Sequence, residues 1–249
     1  MSTPLLVEFF NGLPDDALRG QGDWPLGRTE ADKDAGRSSK GRATGGKARR
    51  RAAIHVFRKQ VQERYNEGTL LRLLQSPSVA ARRAAIFALG LIGSPVANDA
   101  LAGCLHDKDE DAALLAAEAL WNLWFRGDNP AHSDELYRLM RLRDTDKALA
   151  GLNDLILRAP RFAEAYNQRA ILYFRLGQYD RSAADCETTL RLNPHHFGAQ
   201  SGLGGCFLRM RKNRAALKAL RTALRMNPRL DNIADTVRAL ENTLGEDGR

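Results

Sequence analysis

Residue types able to do chemistry are present in this sequence but scattered. His55, His106, His132, His195 and His196 stand without the His-Glu-x-x-His or Cys/His spacing that holds a metal ion. The three cysteines, Cys104, Cys186 and Cys206, are far apart and include no Cys-x-x-Cys. They are expected as small buried hydrophobes inside helices, in a reducing compartment. Residues 41–48 read Gly-Arg-Ala-Thr-Gly-Gly-Lys-Ala, which follows a phosphate-binding loop as far as Gly46-Lys47. Ala48 stands where a hydroxyl would hold Mg²⁺, no strand precedes the segment, and the arginines after it open no β-α-β unit, so the match does not carry a nucleotide site. Ser201-Gly202-Leu203-Gly204 falls inside a helix by its register and is no nucleophile elbow. With no paired acid and base, the sequence reads as non-enzymatic, with neither cofactor nor metal.

Binding residues are easier to find, because they recur. Arg141, Arg175 and Arg209 are separated by 34 residues each, and an apolar pattern repeats with them. In residues 163–196, Tyr166, Ala170 and Tyr173 fall at helical spacing, Gly177 stops the helix, and Ser182, Cys186, Thr189 and Leu190 form a second stripe closed by Asn193-Pro194. Leu203, Gly204, Phe207, Ala216, Leu220, Ala223 and Asn227-Pro228 copy it downstream, while Leu136, Leu139, Ala148, Leu152, Leu155 and Pro160 are a weaker copy upstream. A period of this length marks helical hairpins that bury their apolar sides against one another in a solenoid.

The units resemble the tetratricopeptide repeat, whose pattern is W-x2-L-G-x2-Y, then A-x3-F, then P. Here Tyr166, Arg169, Ala170 and Tyr173 take the first part, Ser182 and Cys186 the second and Pro194 the third. The next unit has Gln200, Leu203, Gly204 and Phe207, then Ala216 and Leu220, then Pro228; the first unit, with His132, Glu135 and Leu136, departs most. A second pattern, of period 31, aligns the stretch from Leu74 with that from Leu105 through Ala85/Ala116, Ala88/Ala119 and Leu89/Leu120. An Ala-rich helix after a Ser- or Asp-bearing turn is similar to the HEAT repeat, which also stacks helix pairs. The layout over about 70–244 resembles bacterial proteins that join HEAT-like units to tetratricopeptide repeats.

The expected fold is all-α: a right-handed α-solenoid in which HEAT-like helix pairs continue into three tetratricopeptide units and a C-terminal capping helix. The expected divisions are an N-terminal arm (1–27), a disordered basic linker (28–51), HEAT-like repeats (52–128), tetratricopeptide units (129–162, 163–196 and 197–230), and a capping helix with its tail (231–249). In the arm, Leu5 to Phe10 and Trp24-Pro25-Leu26 read as a turn docking on the first helices or as a motif that a partner captures. A long helix is expected from Ala52, through Ile54, Phe57, Val61 and Tyr65, to a stop at Gly68. Trp121 and Trp124 are read as the seam joining the two repeat types, or as an exposed aromatic docking site. Ile233, Val237, Leu240 and Leu244 give the last helix the single apolar face of a cap.

What the resemblance implies about function is a concave groove lined by the first helix of each unit. It selects Ser133, Tyr137, Met140 and Arg141 in the first unit, Asn167, Ile171, Phe174 and Arg175 in the second, and Ser201, Gly205, Leu208 and Arg209 in the third. Apolar anchors beside guanidinium groups suit an acidic partner peptide or helix. Chaperone-binding members of the family clamp a terminal carboxylate with lysine, asparagine and arginine. At those places this chain has Ser133, Tyr137, Gln168, Gly198 and Gly202, none a cation, so chaperone C-terminal tails are not expected as ligands. Gly198, Gly202, Gly204 and Gly205 share one helix at a cost of about 1 kcal/mol each against alanine. They signal either close helix packing or the approach of a ligand backbone.

Charge bounds the alternatives. The net charge of +8 is concentrated in residues 28–51, which hold nine Lys/Arg against three Asp/Glu. A basic segment of that kind binds polyanions without reading sequence, so the alternative function is a nucleic-acid-binding adaptor that uses the linker while the solenoid recruits a protein. No apolar run approaches the ~18–20 residues that span a membrane, and the start, interrupted by Glu8, makes a poor signal peptide. A cytoplasmic protein–protein interaction scaffold is the leading expectation.

Overall fold

The computed structural model describes residues 5–14 and 43–246, and every regular element among them is helical. In the first half lie α1 (Leu5–Asn11), α2 (Ala43–Arg64), α3 (Glu67–Leu73), α4 (Val79–Ile92), α5 (Asn98–Cys104) and α6 (Glu110–Phe125). Short polar side chains start these helices by accepting from backbone N–H groups that have no partner within the helix. Asn66 does so for α3, Ser78 for α4 and Asp109 for α6. The pair α4–α6 is drawn close by small residues: a Cβ on Gly90 would lie 2.9 Å from the Cα of Ala119. Two bidentate pairs join the same units at the turn. Arg82 donates to Asp107 at 2.7 and 2.8 Å, and Arg83 to Asp109 at 2.6 Å twice.

Two boundaries differ from the sequence reading. Helix α2 begins at Ala43 instead of Ala52, so residues 43–51 of the basic segment are helical. This also takes Ala43 to Ala48 of the loop-like motif into a helix; residues 28–42 lie outside the described residues. The break after α2 is made by Asn66, which caps α3, and Gly68 sits inside that new helix. In the arm, α1 docks on α2 and α4: Leu6, Val7 and Phe10 are buried, Phe10 meets Phe87 edge-on at 5.8 Å, and Leu6 N–H donates to the Tyr65 hydroxyl at 2.9 Å. Trp24-Pro25-Leu26 lies outside the described residues.

The second half is a file of helical hairpins: α7 (Pro130–Met140) with α8 (Thr145–Arg158), α9 (Ala163–Arg175) with α10 (Tyr179–Leu192), and α11 (Phe197–Arg209) with α12 (Asn213–Met226). Helix α13 (Asp231–Glu246) closes it, burying Val237 and Leu240 beside Ala216 and Leu220. The turns keep the period. Gly177 takes φ +73° between α9 and α10, and Arg211, 34 residues on, is forced to φ 57° in the matching turn. Ahead of each following hairpin, Asn193 accepts from His195 N–H and Asn227 from Arg229 N–H, an identical side-chain-locked bend.

One feature departs from a file in which each unit meets only its neighbours. The α5–α6 pair lies against the amino-terminal ends of α9 and α11 and against the bends before α11 and α13. Trp124 Nε1 donates to Asn98 Oδ1 at 2.8 Å, and Asn98 Nδ2 donates in turn to Asn193 Oδ1 at 3.1 Å. The Arg229 guanidinium donates to the carbonyls of Leu105 and Asp107. The tryptophans are therefore at a seam, but one that reaches the third hairpin: Trp124 stacks on His196 at 4.1 Å, and Trp121 stands edge-on to Phe197 at 5.5 Å. The first hairpin is met by Phe125, stacked on Tyr137 at 5.1 Å.

Candidate functional site

A fully buried polar knot fixes one end of the site. Glu164, in the first turn of α9, accepts from Asn167 at 2.9 Å and Gln168 at 2.6 Å through one oxygen, and faces His196 Nε2 at 2.9 Å through the other. His196 Nδ1 accepts from Ala199 N–H at 3.0 Å, capping α11, so the ring proton lies on Nε2 and is donated to Glu164. Both side chains are 0% exposed. Beside them Gly198 receives Trp121: a Cβ there would be 2.4 Å from the indole Cη2. His196 is the buried link between α6, α9 and α11. The sequence signal was faint: an acid at the start of a unit and a histidine 32 residues later at its end.

From this closed end a slot runs between α9 and α11, over α10. Its cavity has a volume of about 140 Å³ and an almost wholly apolar lining. Asn167, Ile171, Phe174, Arg175 and Gly205, all selected from the sequence, line it together with Gly198, Gly202 and Cys186. The four glycines of α11 divide by task. Gly198 admits Trp121, and Gly204 admits Leu220, whose Cδ2 would be 2.4 Å from an added Cβ. Gly202 and Gly205 face the slot, where a Cβ would meet only Cys186 Sγ at 3.3 Å and the Phe174 ring at 3.6 Å.

Ile171 and Arg175 also wall a second cavity of about 310 Å³, on the α7–α8 side, which Met140 and Arg143 help to line. Arg143 and Arg175 make no ion pair among the described residues. Tyr137 and Arg141 line a third, open depression with Asp134; burial pushes the Tyr137 phenol up from its usual value, with Arg126 opposing. The remaining selected residues are spent elsewhere. Ser133 is buried with its hydroxyl on Asn129 O, Ser201 donates to Gly198 O, and Leu208 packs toward α12 and α13. Arg209 donates to the Tyr179 hydroxyl at 2.9 Å and lies over that ring. The three recurring arginines thus share one rim, at the carboxyl ends of α7, α9 and α11, but only Arg175 reaches the slot.

At the places of the chaperone clamp, Ser133 and Gln168 are buried in local hydrogen bonds, Gly198 is covered by Trp121, and Tyr137 stacks on Phe125. All three cysteines are buried thiols within helices. Cys186 and Cys206 belong to one buried cluster, in which the Cys206 thiol donates to Ser182 Oγ at 3.1 Å. Among the described residues no cluster could hold a metal ion, and no helix is long and apolar enough to cross a membrane.

With this geometry in view, the comparisons fall into place. Residues 46–121 match the HEAT repeat family model and residues 163–196 the tetratricopeptide repeat model. A TPR repeat-containing protein of Rhizobium etli is 31% identical over 130 residues, 49% of this chain and 62% of that protein. The chain thus spans under two thirds of that relative's length. Among solved structures, the first TPR of Spaghetti bound to an HSP90 peptide superposes with a TM-score of 0.43 at 20% identity, over 46% of this chain and 91% of that one. A TPR protein of Thermus thermophilus gives 0.36 at 20% identity, over 79% and 92%. The class is that of helical-repeat proteins. More particularly, HEAT repeats in the first half of this chain are joined to tetratricopeptide repeats in the second.

Proposed function

We propose that this protein is a non-enzymatic interaction scaffold of the cytoplasm, and that the slot between α9 and α11 is where it holds a partner segment. The observation that carries this is the pairing of an apolar slot with the Arg175 guanidinium, which makes no ion pair among the described residues, in its lining. A cavity of about 140 Å³ is close to the ~150 Å³ apolar cavity that holds benzene, so it suits one Phe or Leu side chain. A carboxylate on a neighbouring residue of the partner would meet Arg175, and one further along could reach Arg143 in the adjoining cavity. The partner is therefore an acidic segment with a bulky apolar anchor. Chaperone tails are not its ligands in this reading, because no cation stands at the clamp places.

Affinity capture from the native cell tests the site, comparing wild type with Phe174→Ala plus Arg175→Glu. Loss of a specific partner is expected; equal capture by both would move the site off the slot. A synthetic acidic pentapeptide with a central Phe is the chemical probe. It is expected to bind about thirtyfold more tightly than its Ala counterpart, the factor that burying such a group implies.

A second reading rests on α2, where Arg49, Arg51, Arg58 and Lys59 are exposed on one helix. Of these four, only Lys59 has an acidic partner among the described residues, Glu63 at 3.9 Å. That surface suits nucleic-acid phosphates. Reversal of Arg49 and Arg51 to Glu should remove salt-sensitive retention of duplex DNA or RNA, and unchanged retention would dismiss the reading.

A further inference from the structure

Charge is divided unevenly among the three hairpins. Residues 163–196 hold four Lys/Arg and four Asp/Glu, whereas residues 197–230 hold eight Lys/Arg and no acid. Removing those eight from the chain's 38 Lys/Arg leaves 30, matched by its 30 Asp/Glu. The excess of residues 28–51 is thus offset by acids elsewhere, and that of the third hairpin is not. On α12 the cations form a line. Arg214, Lys218, Arg221 and Arg225 are all exposed and recur every three or four residues, which places them on one face. Arg211 and Lys212, also exposed, carry the line into the turn before α12. Arg221 donates to Glu241 of α13 at 2.8 and 2.6 Å, and Arg225 to the Thr222 hydroxyl at 2.8 Å. The side chains of Arg211, Lys212, Arg214 and Lys218 have no acidic partner among the described residues.

The fold does not require this line. One period back, α10 has Asp180, Ala184 and Glu187 where α12 has Arg214, Lys218 and Arg221, and it forms the same helix. On α12 the like charges Arg214/Lys218 and Arg221/Arg225 stand four residues apart, a spacing at which they repel. In the turn, Arg211 takes φ 57° where the preceding hairpin has Gly177 at φ 73°. A guanidinium is kept there in a conformation that glycine adopts freely. No large apolar side chain of α12 is exposed: Leu217, Leu220 and Leu224 pack with Val237 and Leu240 of α13. The face therefore has nothing to insert into a bilayer and no anchor for a protein interface. We propose that α12 and the turn before it bind the phosphate backbone of duplex nucleic acid. A rise of about 1.5 Å per residue spreads Arg214 to Arg225 over ~16 Å. A duplex strand carries one charge per ~3.4 Å of its axis, so a strand laid along α12 offers phosphates to the whole line. Such contacts hold position without reading sequence. This face is separate from the cations of α2, and the inference rests on neither α2 nor the slot.

The test uses the full chain and labelled DNA and RNA duplexes, read by fluorescence anisotropy across a salt series. The wild-type chain should bind, with log K falling linearly as log salt rises. Arg214→Asp plus Lys218→Ala gives α12 the residues that α10 carries at those places, so the fold should survive, as circular dichroism checks. This variant should reduce the salt slope by about two, one for each lost contact. Lys218→Gln alone is the milder variant and should reduce it by about one. Arg49→Glu plus Arg51→Glu separates the two basic faces. Binding lost in that α2 variant, with both α12 variants indistinguishable from wild type, would overturn the proposal and leave the α2 reading standing. A wild-type chain that leaves both duplexes unbound at low salt would overturn it too. So would flotation with phosphatidylserine vesicles without binding of either duplex.

Discussion

The two stretches of α11 are built from the same unpromising residue and do opposite things with it. At Gly198 the missing side chain is replaced from outside the unit by Trp121 of α6, over a buried Glu164–His196 pair, so the site is closed and rigid. At Gly202 and Gly205, one and two turns further on, nothing replaces it, and the space stays open as the slot. A glycine-rich helix is therefore not one signal but two. Half of it records how tightly this chain packs on itself, and the other half records where it leaves room. The HEAT half of the molecule thus backs the closed end of the slot through Trp121 on Gly198.

The largest effects should come from breaking the closed end. Trp124→Ala removes a buried indole and its hydrogen bond to Asn98, and is expected to cost about 3–5 kcal/mol. Glu164→Ala should fall in the same range, about 3–5 kcal/mol, because it strips partners from a fully buried cluster. Urea unfolding read by tryptophan fluorescence measures both. Next come the filled glycines. Gly204→Ala and Gly198→Ala force a methyl into Leu220 and Trp121 and should each cost about 1–3 kcal/mol. Gly205→Ala, facing open space, should instead raise stability by up to about 1 kcal/mol. Equal effects at all three positions would erase the distinction between the two stretches.

Acid sharpens the comparison from the HEAT side. Hydrogen bonds from Arg82 and Arg83 hold the Asp107 and Asp109 carboxyls below the ordinary carboxylate range. Their stabilisation is therefore complete above the unfolded value of ~3.9 and is lost as pH falls through the lower folded values. Arg82→Ala should flatten that part of the stability–pH curve and leave the slot unchanged. The smallest effect is expected at Arg211, a non-glycine residue held at φ 57°: Arg211→Gly should gain about 1 kcal/mol by relieving the left-handed strain.

How much of this was legible in the sequence depends on the range of each interaction. The hairpins were, because their stripes, glycine turn and Asn-Pro bends repeat locally, as at Gly177, Asn193 and Asn227. Five slot residues, Asn167, Ile171, Phe174, Arg175 and Gly205, were reached because a period carries position from one unit to the next. The start of α2 was missed because Arg and Lys favour helix as readily as they favour disorder. The Trp124–His196 stack and the seating of Trp121 on Gly198 were invisible for another reason. They join surfaces whose meeting is set by the curvature of the whole file, and no spacing in the chain encodes that.

The central claim is that α6 closes the slot by seating Trp121 on Gly198. The direct measurement is a nuclear Overhauser spectrum of the full chain, seeking cross-peaks from the Trp121 indole to the Gly198 α protons and from Trp124 to the His196 ring. Both should be present, and Trp124→Ala should weaken the first. Their absence, with the HEAT and tetratricopeptide halves tumbling at different rates, would contradict the account.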